Sequence, residues 1–288
     1  MTGLALALVL FAAVLHAAWN LAAKRAGGGL PFVYLTSLII NSLYLPVVVG
    51  YWIWRRPELP WGALGVIAVS ALLKTAYSLS LQRGYRKGDF SLIYPLARGT
   101  GPLLSMVLAI ALLGERPTWH GFAGGLLVVG GIFFLTGGPK LWHADRAHLR
   151  SGIRYGLLSG VCIASYTLWD RHGVASWRIP PVIFDAGTAF LMMGLLTPFA
   201  WARRAEVARE WREHRREAFA MAILSPIGYV LILTALTFTP VSYVAPAREV
   251  SILIGTFWGA RLLKEKEAPR RLWAAAAMVA GIVLLAAG

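Results

Sequence analysis

A chain of 288 residues that is 58% hydrophobic and only 14% charged, with a mean hydropathy of +0.63, is excluded from the class of soluble globular domains. Its net charge of +15 sits in short connectors between apolar runs, which argues for membrane orientation and against a nucleic-acid footprint. The single cysteine, Cys162, excludes an intrachain disulfide or a cysteine-based metal cluster.

The apolar runs are near the length of about 20 residues that crosses about 30 Å of hydrocarbon. In chain order the first five predicted spans are Gly3–Ala23, Pro31–Trp54, Trp61–Gln82, Ser91–Leu113 and Trp119–Gly137. A polar connector around Lys140–Arg150 follows. The second five are Gly152–Trp169, Pro181–Trp201, Ala218–Phe238, Ser242–Leu262 and Leu272–Ala287. No basic stretch precedes the first apolar run at Leu4, so no cleavable signal is expected. Between spans seven and eight, Arg203–Glu217 mixes six arginines with four glutamates. It reads either as a solvated linker or as an amphipathic interfacial helix with Val207 and Trp211 on its membrane side.

The chain repeats itself at a shift of 150 residues. Trp19-Asn20 answers to Trp169-Asp170, Ala97-Arg98 to Ala247-Arg248, and Glu115 to Glu265. Val129, Gly131, Ile132 and Leu135 answer to Val279, Gly281, Ile282 and Leu285. Ser91 and Pro95 match Ser242 and Pro246 only at 151, which requires a local gap. Five spans per half is odd, so the second half enters the membrane inverted. The expected fold is all-α and polytopic, ten transmembrane helices as two inverted five-helix repeats. The repeats take residues 1–138 and 152–288, with a connector at 139–151.

Of the 28 Lys and Arg, Lys74, Arg98 and Arg248 fall well inside spans. Connectors 1–2, 3–4, 5–6, 7–8 and 9–10, with adjoining span ends, hold 20, and the opposite set holds five. The crowded side is expected to be cytoplasmic, with both termini external.

The run Gly114-Glu115-Arg116-Pro117-Thr118-Trp119-His120-Gly121-Phe122-Ala123-Gly124, followed by Leu126–Leu135, resembles the junction of spans four and five in EamA-type proteins of the drug/metabolite transporter superfamily. Leu263-Lys264-Glu265 resembles its second copy, with Lys264 in place of the usual glycine. His16-Ala17-Ala18-Trp19-Asn20 is similar to the first span of one EamA branch. The resemblance covers essentially the whole chain. It implies a bacterial inner-membrane transporter with a central cavity and alternating access, although relatives are often drawn with both termini inside. Plastid phosphate translocators, more distant relatives, carry a Lys-Arg pair on span nine. Ala247-Arg248 stands at that place, so only the arginine carries over.

An ionisable side chain inside a span costs about 2.5–3.5 kcal/mol on insertion scales, so it is expected to face a cavity or a partner. Arg98 and Arg248 are predicted to flank the midplane, each roughly 10 Å below opposite membrane faces. There they either grip an anionic group or pair locally, Arg248 with Glu249 or Asp185. Lys74 reads as a cavity residue or as one that reaches the interface along its stem, with Tyr77, Ser78 and Gln82 on its face. Asp185 and Glu249 are the candidate intramembrane acids, either proton-coupling carboxylates or counter-ions. Against three basic groups they leave a surplus of one positive charge.

His16 and Asn20 share a face beside Trp19, where they either line the cavity or pack. Trp19 and Trp169 are candidate aromatic walls, Asp170 is expected at the interface, and Glu115 and Glu265 are expected in tight turns. Pro95 and Pro246 are hinge candidates. Gly121/Gly125, Gly156/Gly160, Gly255/Gly259 and Ala277/Gly281 are expected to permit close helix packing.

No nucleophile constellation, Walker loop, dinucleotide motif or metal signature occurs, so no cofactor and no enzyme activity are expected. The sequence favours a secondary transporter of small polar metabolites, leaning to organic anions or amino-acid-like compounds. A coupling proton or counter-substrate, membrane lipids and a monomer or homodimer complete the expectation. The alternatives are an exporter of cationic or amphipathic drugs using membrane carboxylates and, remotely, a membrane enzyme acting on lipid-linked substrates.

Overall fold

A computed structural model describes residues 1–26, 29–87, 90–136, 146–263 and 268–288. The described residues are helical, with no strand among them. The first half contributes α1 (Gly3–Arg25), α2 (Leu30–Arg55), α3 (Ala63–Lys87), α4 (Phe90–Leu113) and α5 (Trp119–Thr136). The second contributes α6 (Arg146–Arg171), α7 (Pro181–Trp201), α8 (Arg204–Phe238), α9 (Val241–Arg248), α10 (Val250–Leu263) and α11 (Ala268–Ala287). Because α9 and α10 are the two parts of one broken span, the order gives ten spans, five in each half. By length and hydropathy α1, α2, α3, α4, α7 and α8 are each able to cross a membrane. Shorter apolar helical stretches lie at Trp119–Phe134 and Trp273–Ala287.

Helix pairing shows how the halves meet. α1 packs on α8, and its counterpart α6 packs on α3. α2 packs on α8, and α7 on α3; α4 packs on α6, and α1 on α9 and α10. Exchanging the halves therefore maps these pairings onto one another. The seam between α5 and α11 shows the same exchange at atomic detail. A Cβ added to Gly124 would lie 2.6 Å from the Gly281 carbonyl oxygen, and one added to Gly131 would lie 2.9 Å from that of Ala274. The 150-residue shift turns Gly124 into Ala274 and Gly131 into Gly281, so each contact is the image of the other.

The expected small-residue contacts are present within the bundle and along this seam. Gly121 lies against the Tyr243 ring and Gly125 against Met106 and Pro246, while Gly124 and Gly131, seven apart, meet α11, and Gly281 meets α5. Gly160 does permit close packing, lying against Thr100 and Gly101 of α4.

Two elements run longer than predicted. The Arg203–Glu217 segment is helical and continuous with span eight, with a break at His214 (φ −127, ψ 24). Span six reaches Arg171 and is extended by a π-helical turn, His172–Ser176. Lys264, Glu265 and most of the 139–151 connector lie outside the described residues, as do the side chains of Gln82 and Pro95.

Candidate functional site

Eight polar side chains from spans one, three, four, six, eight and nine meet inside the bundle. The first group forms around Asp170, whose carboxylate is fully buried near the end of α6. Lys74 of α3 places its ammonium 3.0 Å from Oδ2. Ser70, one turn earlier on the same helix face, donates to Oδ1 at 2.5 Å. Tyr229 of α8 donates its hydroxyl to Oδ2, also at 2.5 Å. The Lys74 ammonium also sits 4.2 Å from the Tyr229 ring centroid and 5.9 Å from those of Tyr166 and Phe184. An ammonium surrounded by aromatic faces is held by their negative quadrupoles as well as by the carboxylate. Tyr77 packs edge-on against Tyr166, with centroids 5.8 Å apart.

The second group forms around Glu249, at the break between α9 and α10. Pro246 lies three residues upstream; its missing N–H and its ring disfavour an uninterrupted helix there. Arg98 of α4 approaches Oε2 at 3.3 Å, and Arg248 approaches Oε1 at 3.2 Å. One carboxylate thus holds an arginine from each half. Arg98 also donates Nη2–H to His16 Nε2 at 2.9 Å. A guanidinium only donates, so that ring nitrogen accepts and the proton of the neutral imidazole is on Nδ1. His16 in turn packs edge-on against Trp19 at 4.6 Å. Tyr166 and Tyr229, neighbours of Lys74, are also electrostatic neighbours of Arg248, which joins the two groups.

Exposure within this cluster is uneven. The side chains of Lys74, Arg98 and Arg248 retain 14%, 11% and 11% exposure, against 0% for Asp170 and 1% for Glu249. The cations keep a small exposure that the carboxylates lack. Two forked donors and an ammonium suit a carboxylate or a phosphate group.

The remaining sequence candidates go elsewhere. Asp185 of α7 accepts a hydrogen bond from Tyr44 of α2 at 2.5 Å, and no ion pair joins it to the basic trio among the described residues. Asn20 donates its amide to the His16 carbonyl of its own helix at 2.7 Å. Trp169 donates its indole N–H to the Val66 carbonyl at 2.8 Å, a packing contact between α6 and α3 rather than an open aromatic wall. Glu115 does more than shape a turn. Its two oxygens accept the backbone N–H groups of Val241 and Ser242, both at 2.9 Å, and so cap the N-terminus of α9. Arg171 supports it from 3.5 Å. The hinge candidate Pro95 lies in α4, which continues unbroken through it.

Two expectations need correction. Asp170 is not interfacial, because the added π-helical turn carries span six onward and leaves this residue inside the bundle. Lys74 accordingly pairs inward rather than snorkelling. The surplus positive charge disappears with the same residue: Asp170, Asp185 and Glu249 now stand against Lys74, Arg98 and Arg248. A signal for Asp170 was present, since the repeat aligned it with Asn20, a candidate cavity residue. Tyr229 and Ser70 gave none, being ordinary polar residues on apolar helices.

The EamA-like transporter family matches this chain twice, over residues 3–137 and 150–287. The chain belongs to that family. It is a transmembrane transporter of the drug/metabolite superfamily, with the two five-helix repeats of EamA proteins. Among curated relatives, an uncharacterised protein of Pseudomonas aeruginosa is 28% identical over 268 residues, covering 88% of this chain and 84% of its own. A protein of Streptantibioticus cattleyicolor named as a probable terminal-alkyne amino-acid exporter is 27% identical over 281 residues, covering 90% and 84%. A solved crystal structure, 17% identical, superposes with a TM-score of 0.74 over 99% of this chain and 96% of its own, which shows a shared fold.

Proposed function

We propose that this EamA-family chain is a secondary transporter of small metabolites bearing a carboxylate, amino-acid-like zwitterions foremost, and that it works by alternating access. The observation that carries this reading is the exposure order at the cluster: the three cations keep some exposure, while Asp170 and Glu249 are covered. A substrate carboxylate would be held by Arg98 and Arg248, with Lys74 assisting. Tyr77, Trp19 and His16 would line the site and Asn20 would flank it. A zwitterion suits the balanced cluster better than a dianion, because its ammonium can approach Glu249 as the arginines turn toward the carboxylate. The relative named as an amino-acid exporter supports the same substrate class.

Glu249 and Asp185 are the candidates for coupling, by proton or by exchange, and Pro246 is the hinge on which span nine moves. The protein is placed in the cytoplasmic membrane with both termini external, and it carries out transport without chemical conversion. Cation export through a membrane carboxylate ranks lower, since two guanidiniums already hold Glu249.

Amino-acid counterflow in proteoliposomes tests the assignment. Arg98→Gln and Arg248→Gln are each expected to lower exchange at least tenfold, the loss of one charge-assisted contact being about 1.5–3 kcal/mol. Unchanged exchange in the double variant would overturn it.

A further inference from the structure

A cavity of about 570 Å³ lies away from the charged cluster, where α2 and the end of α7 meet the first part of α8. Its size falls in the range of about 300–1,000 Å³ that takes a drug-sized or acyl-chain-sized ligand. Leu38 and Tyr34 of α2 form one wall, and Val207 and Trp211 of α8 form the other. Arg204 and Arg212 complete the lining, one at each end of the Val207–Trp211 stripe. Residues 204, 207/208 and 211/212 recur at helical spacing, so one face of α8 presents apolar groups between two guanidiniums.

Both arginines are exposed, and among the described residues neither has an acidic partner; Arg204 reaches only the Trp201 carbonyl, at 3.5 Å. Trp201 and Trp211 are exposed beside them, as tryptophans are at the level of lipid headgroups. The break at His214 separates this helix from the spanning part of α8 and lets it take its own direction.

We infer that this groove is a binding site for one anionic phospholipid, its acyl chain between α2 and α8 and its anionic headgroup within reach of Arg204 and Arg212. The cations need an anion at the edge of the hydrocarbon, and the apolar walls need a chain attached to it. A zwitterionic lipid satisfies the walls but brings a competing positive charge. A free phosphate satisfies the arginines and leaves the groove empty. The site is independent of the transported substrate.

The test is lipid retention by the full-length protein. It is reconstituted in vesicles of equal phosphatidylglycerol and phosphatidylcholine, extracted, and weighed by native mass spectrometry. The wild type is expected to keep one phosphatidylglycerol in preference to phosphatidylcholine. Arg204→Gln with Arg212→Gln should reduce that preference roughly tenfold or more, from the typical attraction of a basic side chain to an anionic leaflet. Ala208→Trp fills the groove with both charges in place and should also lose the retained lipid. Arg209→Gln with Arg215→Gln removes the same charge from α8 outside the groove and should leave retention unchanged.

The inference is overturned if the wild type shows no preference, or if the Arg204/Arg212 and Ala208 variants retain phosphatidylglycerol like the wild type. It is equally overturned if the Arg209/Arg215 pair lowers retention as much, or if glycerol phosphate displaces the lipid.

Discussion

The fourth span of the first half and the fourth span of the second begin from similar sequence and end as different machines. α4 runs unbroken from Phe90 to Leu113 through Pro95 and Arg98. Its counterpart breaks at Glu249, just after Arg248, into α9 and α10. Where the second half has Glu249 the first has Gly99, and where it has Asp170 the first has Asn20. The arginines are duplicated and the acids are not. Both carboxylates that organise the cluster therefore come from the second half, and each receives a cation from the first: Lys74 on Asp170, Arg98 on Glu249. The repeat supplies a symmetric frame, and the chemistry depends on where the symmetry fails.

Removing Glu249 should break this arrangement most severely. Glu249→Gln removes the carboxylate that two largely enclosed guanidiniums share, a change worth about 3–5 kcal/mol. Thermal unfolding in detergent should show a large fall in the midpoint. A midpoint like that of the wild type would mean that the arginines do not depend on this carboxylate.

Asp170→Asn gives the second half the amide that the first half carries as Asn20. It removes the partner of Lys74 but keeps hydrogen-bonding capacity for Ser70 and Tyr229, so the expected cost is smaller, about 2–3 kcal/mol. Comparison with Asn20→Ala sharpens the point. Among the described residues Asn20 bonds only its own helix, so that variant should unfold close to the wild type; equal losses from both substitutions would contradict the asymmetry.

A smaller effect than at either cluster carboxylate is expected at Glu115, which lends the first half's connector to the start of α9. Glu115→Gln should destabilise by about 1 kcal/mol, the usual scale of a helix cap. Hydrogen exchange should quicken at the amides of Val241 and Ser242 and leave those of α4 unchanged. Uniform acceleration across the bundle would show that Glu115 does not act as a local cap.

Much of the fold was legible because it follows from two strong sequence signals, apolar length and the 150-residue repeat. The spans, their number and the inversion all descend from these. The site was legible one residue at a time. Arg98, Arg248, Lys74 and Glu249 stand out because charge inside a span is costly, and cost marks them whatever their partners are. Which partner each one takes is decided by helix rotation and by the exact end of a span, and the sequence specifies neither. Asp170 shows the consequence: ending span six at Trp169 put its carboxylate in the headgroups, and one further π-helical turn puts it on Lys74. Glu115 was missed as a cap for a different reason, since its partner amides lie 126 and 127 residues away.

The central claim is that the cations of the buried cluster recognise a carboxylate. The most direct measurement is thermal stabilisation of the purified protein by matched compounds: an amino acid, its amide, which lacks the carboxylate, and its N-acetyl form, which lacks the ammonium. A ligand that binds only the folded state raises the unfolding midpoint. The account predicts stabilisation by the amino acid, weaker stabilisation by the N-acetyl form, none by the amide, and loss of all of it in the Arg98→Gln, Arg248→Gln double variant. Stabilisation by the amide equal to that by the acid would contradict it.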